Sequence, residues 1–232
     1  SITPACCATR RAEMTIKSAA ILLAGGQARR MGGGDKNLIM LAGKTVLQHV
    51  LDRVDFERRP LMINANGDPS RYAEYGLPVC ADVIDGYAGP LAGILTGLEW
   101  ISANHPTCTH LISVATDAPF LPFDLMARLE AGLGKKDDTG RCNGVDIAQA
   151  MSFNRRHPVF AIWPVALTAA LRHAMIEDGL RKIDDFTDRY QCVTVEFAGE
   201  PDPFMNLNRP DDFELAMRSL ETSKQNWQVD PS

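Results

Sequence analysis

The sequence has 232 residues, of which 45% are hydrophobic and 23% charged, with a formal net charge of −5. This composition is typical of one globular α/β domain, and the acidic balance argues against a surface that binds nucleic acid. No apolar run approaches the roughly 20 residues of a membrane-spanning helix, so no membrane contact is expected. The six cysteines form no CxxC pair or dense framework, which favours reduced thiols in a cytoplasmic protein.

In chain order, short apolar runs alternate with segments of helical period, a pattern typical of β-α-β units. The predicted strands are 19–24, 61–64, 79–81, 111–115, 145–150, 159–163 and 192–197. The predicted helices are 45–54, 90–101, 122–129, 165–174 and 210–220. We therefore expect a single-domain, Rossmann-like α/β fold over residues 16–222, with a doubly wound, mostly parallel sheet. Residues 1–15 are predicted to be a disordered N-terminal extension, and residues 223–232 a loose C-terminal tail.

Glycine or a polar side chain follows each of the first four predicted strands. Because the carboxyl ends of parallel strands meet at one edge of a sheet, these residues are expected to lie together, where such sheets bind ligands. Asn and Asp also cap helices and form turns, so none of them alone identifies a site. The residues at the four strand ends are Gly25-Gly26, Asn64, Asp82 and Thr116-Asp117.

The most informative segment is a glycine-rich loop from Gly25 to Lys36, which directly follows the first strand. Its glycines permit positive φ and leave the backbone N–H groups open to phosphate oxygens. The loop matches neither the GxxxxGK[ST] pattern of P-loops nor the GxGxxG dinucleotide fingerprint. Arg29 and Arg30, together with Lys36, add positive charge. The segment is therefore predicted to bind phosphates.

This loop resembles that of the molybdenum cofactor guanylyltransferases, a family of the nucleotidyltransferase superfamily with a nucleotide-diphospho-sugar transferase-like fold. Within the loop, the resemblance is carried by Leu23-Ala24-Gly25-Gly26, Arg30-Met31-Gly32-Gly33 and Asp35-Lys36. Further matching motifs follow in order: Asn64-Ala65-Asn66, Asp82, Gly89-Pro90-Leu91-Ala92-Gly93, Asp117-Ala118-Pro119, His157-Pro158 and Asn206-Leu207-Asn208-Arg209-Pro210. The motifs span nearly the whole predicted domain.

The resemblance implies a GTP site and a Mg²⁺ ion, with Lys36 and Asp117 as catalytic residues and Asp117 as the metal ligand. A lysine and a hard cation would stabilise the charge that develops on the α-phosphate and on departing pyrophosphate. Asp82 could accept two N–H bonds from guanine or help to bind the metal, and both roles stay open. Asp35 or Asp85 could assist the metal, or form a turn or cap. The implied GTP-binding residues are Leu23, Ala24, Gly25, Gly26, Arg30, Gly33, Lys36, Asn64, Asp82 and Asp117.

The implied reaction transfers GMP from GTP to molybdopterin, which gives molybdopterin guanine dinucleotide and pyrophosphate. The attacking phosphate of molybdopterin is already anionic at neutral pH, so positioning and charge neutralisation should matter more than a general base. For each candidate acceptor residue a structural role competes, such as a solvated basic turn, an exposed helix position or a cap. The candidate molybdopterin-binding residues are Arg156, His157, Arg181, Asn206 and Asn208.

Two other functions remain open at this point. A cytidylyltransferase of the same pathway, or another sugar- or polyol-phosphate nucleotidyltransferase, would share the loop and the metal aspartate. A nucleotide-binding regulator would keep the loop and lack catalysis, but the presence of both Lys36 and Asp117 argues against it. We expect a monomer that makes transient contacts with other proteins of molybdenum cofactor biosynthesis.

Overall fold

The computed structural model describes residues 17–25, 35–54, 59–86, 89–133 and 147–226. Residues 223–226 are described as backbone only. The predicted extension 1–15 lies outside these ranges, as do Gly26, Arg30 and Gly33 of the glycine-rich loop. Within the described ranges, none of the helices combines the length and the apolar character needed to cross a bilayer.

The described chain forms nine strands and six α-helices. The strands are β1 (Ser18–Leu23), β2 (Met40–Leu41), β3 (Lys44–Thr45), β4 (Leu61–Asn64), β5 (Val79–Cys80), β6 (His110–Ala115), β7 (Ile147–Ser152), β8 (Arg155–Pro164) and β9 (Cys192–Glu196). The helices are α1 (Val46–Leu51), α2 (Pro90–Asn104), α3 (Leu125–Leu133), α4 (Thr168–Ile176), α5 (Ile183–Thr187) and α6 (Pro210–Asn226). Short 3₁₀ helices span Lys36–Leu38, Pro69–Tyr75 and Val165–Leu167.

Seven of the strands form one sheet in the order β5-β4-β1-β6-β8-β7-β9. The first four strands in this order are parallel, and β9 is parallel to β7. β8 is antiparallel to both of its neighbours, with Ala161 opposite Ser113 and Arg155 opposite Ser152. The turn between β7 and β8 therefore lies at the same edge as the carboxyl ends of the parallel strands. The predicted mostly parallel sheet is confirmed.

Helices cover both faces of this sheet. Ala20 and Leu22 of β1 belong to a buried cluster that includes side chains of α1 and α3. Ala19 and Ile21, on the opposite face of β1, pack with α2, α4 and α5. This alternation follows from the period of two in a strand, and the apolar sequence of β1 is buried on both sides. The doubly wound α/β fold is confirmed.

The observed helices follow the predicted ones, with shifted ends. α3 begins at Leu125, after a turn in which the N–H of Leu125 donates to the carbonyl of Pro122. A 3₁₀ turn precedes α4, and α6 continues past Leu220 to Asn226, into the predicted loose tail. Helix ends are poorly encoded by periodicity because fraying and 3₁₀ turns leave the apolar pattern unchanged.

Four short elements were not predicted from the sequence. They are the 3₁₀ helix Lys36–Leu38, the β2–β3 hairpin, the 3₁₀ helix Pro69–Tyr75 and α5. Two-residue strands and a five-residue helix are too short to show a periodic pattern. The hairpin turn is formed by Ala42 and Gly43, both with positive φ (49° and 91°), as in turns that match the twist of paired strands.

Candidate functional site

The carboxyl ends of β1, β4 and β6 meet as the sequence predicted. Leu23 lies opposite Asn64 on one side and Ala115 on the other. The N–H of Ala24 donates to the carbonyl of Asn64 at 2.9 Å, and the hydroxyl of Thr116 donates to the carbonyl of Leu23 at 3.0 Å. The backbone that leads into the glycine-rich loop is therefore held between the two neighbouring strands.

The first turns of α2 pack directly on these strand ends at Gly93. A Cβ atom placed on Gly93 would lie 2.4 Å from Oδ1 of Asn64 and 2.5 Å from Cδ2 of Leu23. No side chain larger than that of glycine fits without displacing the side chains of both residues. Gly93 therefore lets α2 approach two of the predicted GTP-binding residues.

Asp82, which follows β5, is held by the side chains of two asparagines. Its Oδ1 accepts from Nδ2 of the buried Asn64 at 2.9 Å, and its Oδ2 accepts from Nδ2 of Asn66 at 2.8 Å. The backbone N–H of Asp82 donates to Oδ1 of Asn66 at 2.9 Å, so these two residues are paired reciprocally. Sequence reasoning assigned no role to Asn66, although it belongs to the quoted Asn64-Ala65-Asn66 motif.

Lys36, Asp117 and Asn208 come together beside the end of β6. Nζ of Lys36 donates to Oδ1 of Asn208 at 2.9 Å, and the N–H of Leu207 donates to the carbonyl of Asp117 at 2.9 Å. Burial raises the pKa of Asp117, whereas its own backbone N–H and the positive charge of Lys36 lower it. The structure thus places both predicted catalytic residues next to one predicted acceptor residue.

His157 is buried, and its ring contacts Ser152 and Phe204 at the ligand edge of the sheet. Its Nε2 lies 2.8 Å from the hydroxyl of Ser152, which donates to Oδ1 of Asp202 at 2.7 Å. Its ring packs against Phe204 with centroids 4.7 Å apart. Burial lowers the pKa of His157, the carboxylate of Asp202 opposes that shift, and Arg155 adds to it. These contacts explain how His157 helps to anchor the chain around Asp202.

The other predicted acceptor residues lie in different surroundings. The guanidinium of Arg156 is exposed and lies 3.7 Å from the carboxylates of Asp184 and Asp188. Nη1 of Arg181 lies 3.3 Å from the carbonyl of Leu180, to which it donates. Asn206 is exposed and lies two residues before Asn208. Of the five candidates, Asn208 is the one that the structure shows in contact with Lys36.

The chain between β9 and α6, residues 197–209, is here called the edge segment. It begins where the N–H of Phe197 donates to the carbonyl of Met151 at 2.7 Å. It continues through Asp202, which binds Ser152, and reaches Asp117 through Leu207. The edge segment therefore runs along the ligand edge of the sheet, from the β7–β9 side to the end of β6.

Comparison with known proteins identifies the family of this chain. The chain matches the family model of the MobA-like NTP transferase domain over residues 20–192. The chain belongs to this family. It is 49% identical over 199 residues to the molybdenum cofactor guanylyltransferase of Bradyrhizobium sp. (strain ORS 278), a match that covers 85% of this chain and 91% of that protein. The predicted family and the assignment as a nucleotidyltransferase are confirmed.

Several solved structures share the fold of this chain. Molybdopterin-guanine dinucleotide biosynthesis protein A from Archaeoglobus fulgidus matches with a TM-score of 0.66 at 22% identity, covering 88% of this chain and 99% of that chain. A Mycobacterium tuberculosis H37Rv protein in complex with manganese matches with a TM-score of 0.61 at 16% identity, covering 88% and 99%. At these identities, the structural similarity supports the fold of this MobA-like family member and nothing more specific.

Proposed function

We propose that this protein transfers GMP from GTP to molybdopterin, forming molybdopterin guanine dinucleotide and releasing pyrophosphate. One observation carries the proposal: Lys36 binds Asn208, whose neighbour Leu207 binds Asp117 at the ligand edge of the sheet, in a chain whose relatives are named guanylyltransferases. Both substrates are small molecules. The cytoplasmic location, the monomeric state and the contacts with pathway proteins stay predictions.

The nucleotide is proposed to lie over the ends of β1 and β4. The backbone of Leu23, Ala24 and Gly25 lines this edge, and the loop that follows supplies N–H groups to the phosphates. The ammonium of Lys36 binds Asn208 beside the end of β6. Its positive charge is proposed to neutralise the triphosphate at this edge. Gly26, Arg30 and Gly33 are also proposed to bind GTP and lie outside the described residues.

The base is proposed to be recognised by Asp82. The amides of Asn64 and Asn66 each bind one oxygen of this carboxylate, which fixes its plane and leaves lone pairs free on both oxygens. Guanine offers two neighbouring N–H donors that such a carboxylate can accept, and adenine lacks this arrangement. We therefore favour base recognition over metal binding for Asp82.

Asp117 is the proposed ligand of a divalent cation, for which we propose Mg²⁺. A hard oxygen ligand at the end of β6 fits this ion, which is held in proteins by one or two carboxylates together with substrate phosphates and water. When bound, the ion supplies charge neutralisation at the phosphates of the nucleotide. Its positive charge would also offset the burial that raises the pKa of Asp117.

In the transfer step, an oxygen of the terminal phosphate of molybdopterin forms a bond to the α-phosphorus of GTP. The bond between that phosphorus and the bridging oxygen of the β-phosphate breaks, and the electron pair leaves with pyrophosphate. Lys36 stabilises the developing charge, and Asn208 beside it is well placed to orient the incoming phosphate. Asn206, Arg156, His157 and Arg181 remain proposed acceptor residues.

The test is turnover of the purified protein with molybdopterin, a divalent cation and either GTP or CTP. We expect pyrophosphate release and a guanine dinucleotide product, identified by mass spectrometry, with GTP as the preferred donor. Preference for CTP would replace this proposal by cytidylyl transfer. Nucleotide binding without any turnover would instead favour a regulatory protein.

A further inference from the structure

Arg71 connects two parts of the site through its guanidinium group. The residue lies on the 3₁₀ helix Pro69–Tyr75. Nη1 donates to the carboxylate of Asp35, Nη2 donates to the carbonyl of Asn66 at 2.7 Å, and Nε donates to the carbonyl of Asp68 at 2.9 Å. Only a guanidinium can serve three such acceptors in one plane, since lysine presents a single point charge.

The two ends of this connection lie beside residues with different proposed tasks. Asp35 directly precedes Lys36, whose ammonium binds Asn208. Asn66 is paired with Asp82 by two hydrogen bonds, of 2.8 and 2.9 Å. Arg71 thus links the end of the glycine-rich loop to the carboxylate proposed to recognise the base.

We infer that Arg71 and Asn66 are positioning residues that hold Lys36 and Asp82 in one arrangement, and that Asn66 thereby sets base selectivity. The inference rests on the proposed function, because it assumes that Asp82 recognises guanine. Without Asn66, the carboxylate of Asp82 keeps the amide of Asn64 on one oxygen only, so its rotation about the χ2 bond is less restricted. A rotated carboxylate presents one acceptor instead of two to the base.

A structural role alone would show itself differently. The ion pair between Arg71 and Asp35 is partly exposed, with 35% and 16% of the side-chain surfaces accessible, and such pairs contribute little to stability. Removing Arg71 should therefore leave Tm nearly unchanged while it weakens GTP binding. Loss of GTP affinity with an unchanged Tm distinguishes positioning from stabilisation.

The decisive experiment measures equilibrium binding of GTP and ATP to the whole protein and to three variants, Asn66→Ala, Asp82→Ala and the double variant. We expect Asn66→Ala to lower the preference for GTP over ATP about tenfold, the effect of losing one well-oriented hydrogen-bond acceptor. Because Asn66 acts through Asp82, the double variant should match Asp82→Ala alone. Additive effects, or an unchanged preference in Asn66→Ala, would overturn the inference.

Arg71 is tested by steady-state kinetics with a matched control. Arg71→Met should raise KM for GTP about tenfold and change kcat less than about threefold, and Arg71→Lys should recover part of this loss. The control is Arg189→Met, which removes an exposed ion pair of 2.7 Å to Asp178 without touching the site residues. Equal effects of Arg71→Met and Arg189→Met would overturn the inference. Absence of a GTP preference in the unaltered protein would instead refute the proposed donor, which keeps the two failures distinct.

Discussion

Gly93→Ala is the smallest change that should disturb the nucleotide site without removing any functional group. The new methyl group would lie 2.4 Å from Oδ1 of Asn64 and 2.5 Å from Cδ2 of Leu23. Leu23 can move the end of a flexible side chain. Asn64 cannot turn as freely, because its Nδ2 donates to Asp82 at 2.9 Å and to the carbonyl of Cys80 at 3.2 Å.

The expected magnitude follows from these contacts. Overpacking of this kind costs about 1–3 kcal/mol, and replacing glycine by alanine inside a helix returns about 1 kcal/mol. The net loss of about 0–2 kcal/mol corresponds to a Tm decrease of up to roughly 8 °C in a domain of this size. Binding of GTP would require Asn64 and Asp82 to regain this arrangement against the new methyl group, at a cost of up to about 2 kcal/mol for two hydrogen bonds, so GTP binding should weaken up to roughly 30-fold.

Gly97→Ala is the matched control, one turn further along α2. A Cβ atom there would lie 2.7 Å from Cδ2 of Leu111 and 2.8 Å from Cδ1 of Ile21, which are core side chains away from the strand ends. Both variants should lose comparable stability, but only Gly93→Ala should lose GTP affinity. Calorimetric GTP binding and thermal unfolding measure the two quantities separately. Equal GTP affinity in the two variants would refute the proposed role of Asn64.

Four further results are expected. Lys36→Ala should lower turnover about 10²–10³-fold, the usual cost of losing one transition-state charge stabiliser, and a loss under about threefold would remove Lys36 from the mechanism. Asp117→Asn should shift the cation titration of activity, and an unchanged titration would assign the metal to another carboxylate. The same variant should raise Tm in metal-free protein at neutral pH. Burial raises the pKa of Asp117, so its stabilising contribution is complete below the unfolded value and is lost as pH rises through the folded one. Burial lowers the pKa of His157 from 6.5. Its contribution to the free energy of unfolding is therefore present above pH 6.5 and is lost as the pH falls through the lower pKa of the folded state. His157→Gln should therefore flatten the plot of Tm against pH below about pH 6.5. Parallel plots for the variant and the unaltered protein would contradict this role of His157.

The convergence of strand ends could be predicted because it follows from local pattern and one topological rule. Each early strand is an apolar run that ends in glycine or a polar residue, and parallel strands align these ends. The role of Asn66 could not be predicted in the same way. Its partner Asp82 is 16 residues away, and their pairing depends on how β4 and β5 are aligned.

His157 shows a second limit of sequence reasoning. The sequence predicted a strand over residues 159–163, and Pro158 just before it cannot donate to a neighbouring strand. In the structure β8 begins at Arg155, and the register shifts between Gln149 and Ala150 of β7, so that Ala150 lies opposite His157. An irregularity of this kind accommodates proline within a strand. Side-chain orientation around it, which turns His157 toward Ser152, is not encoded in local periodicity.

The edge segment also bears on how far the protein can be divided into modules. The match to the family domain ends at residue 192, before this segment begins. Leu207 nevertheless binds Asp117 and is buried with Leu41, Val46 and Ala216 of α6. A substrate that bridges Lys36 and Asn208 would add its binding free energy to the docking of α6. Protection of the C-terminal helix from proteolysis should therefore report occupancy of a site that includes Lys36, which lies 172 residues before Asn208 in the chain.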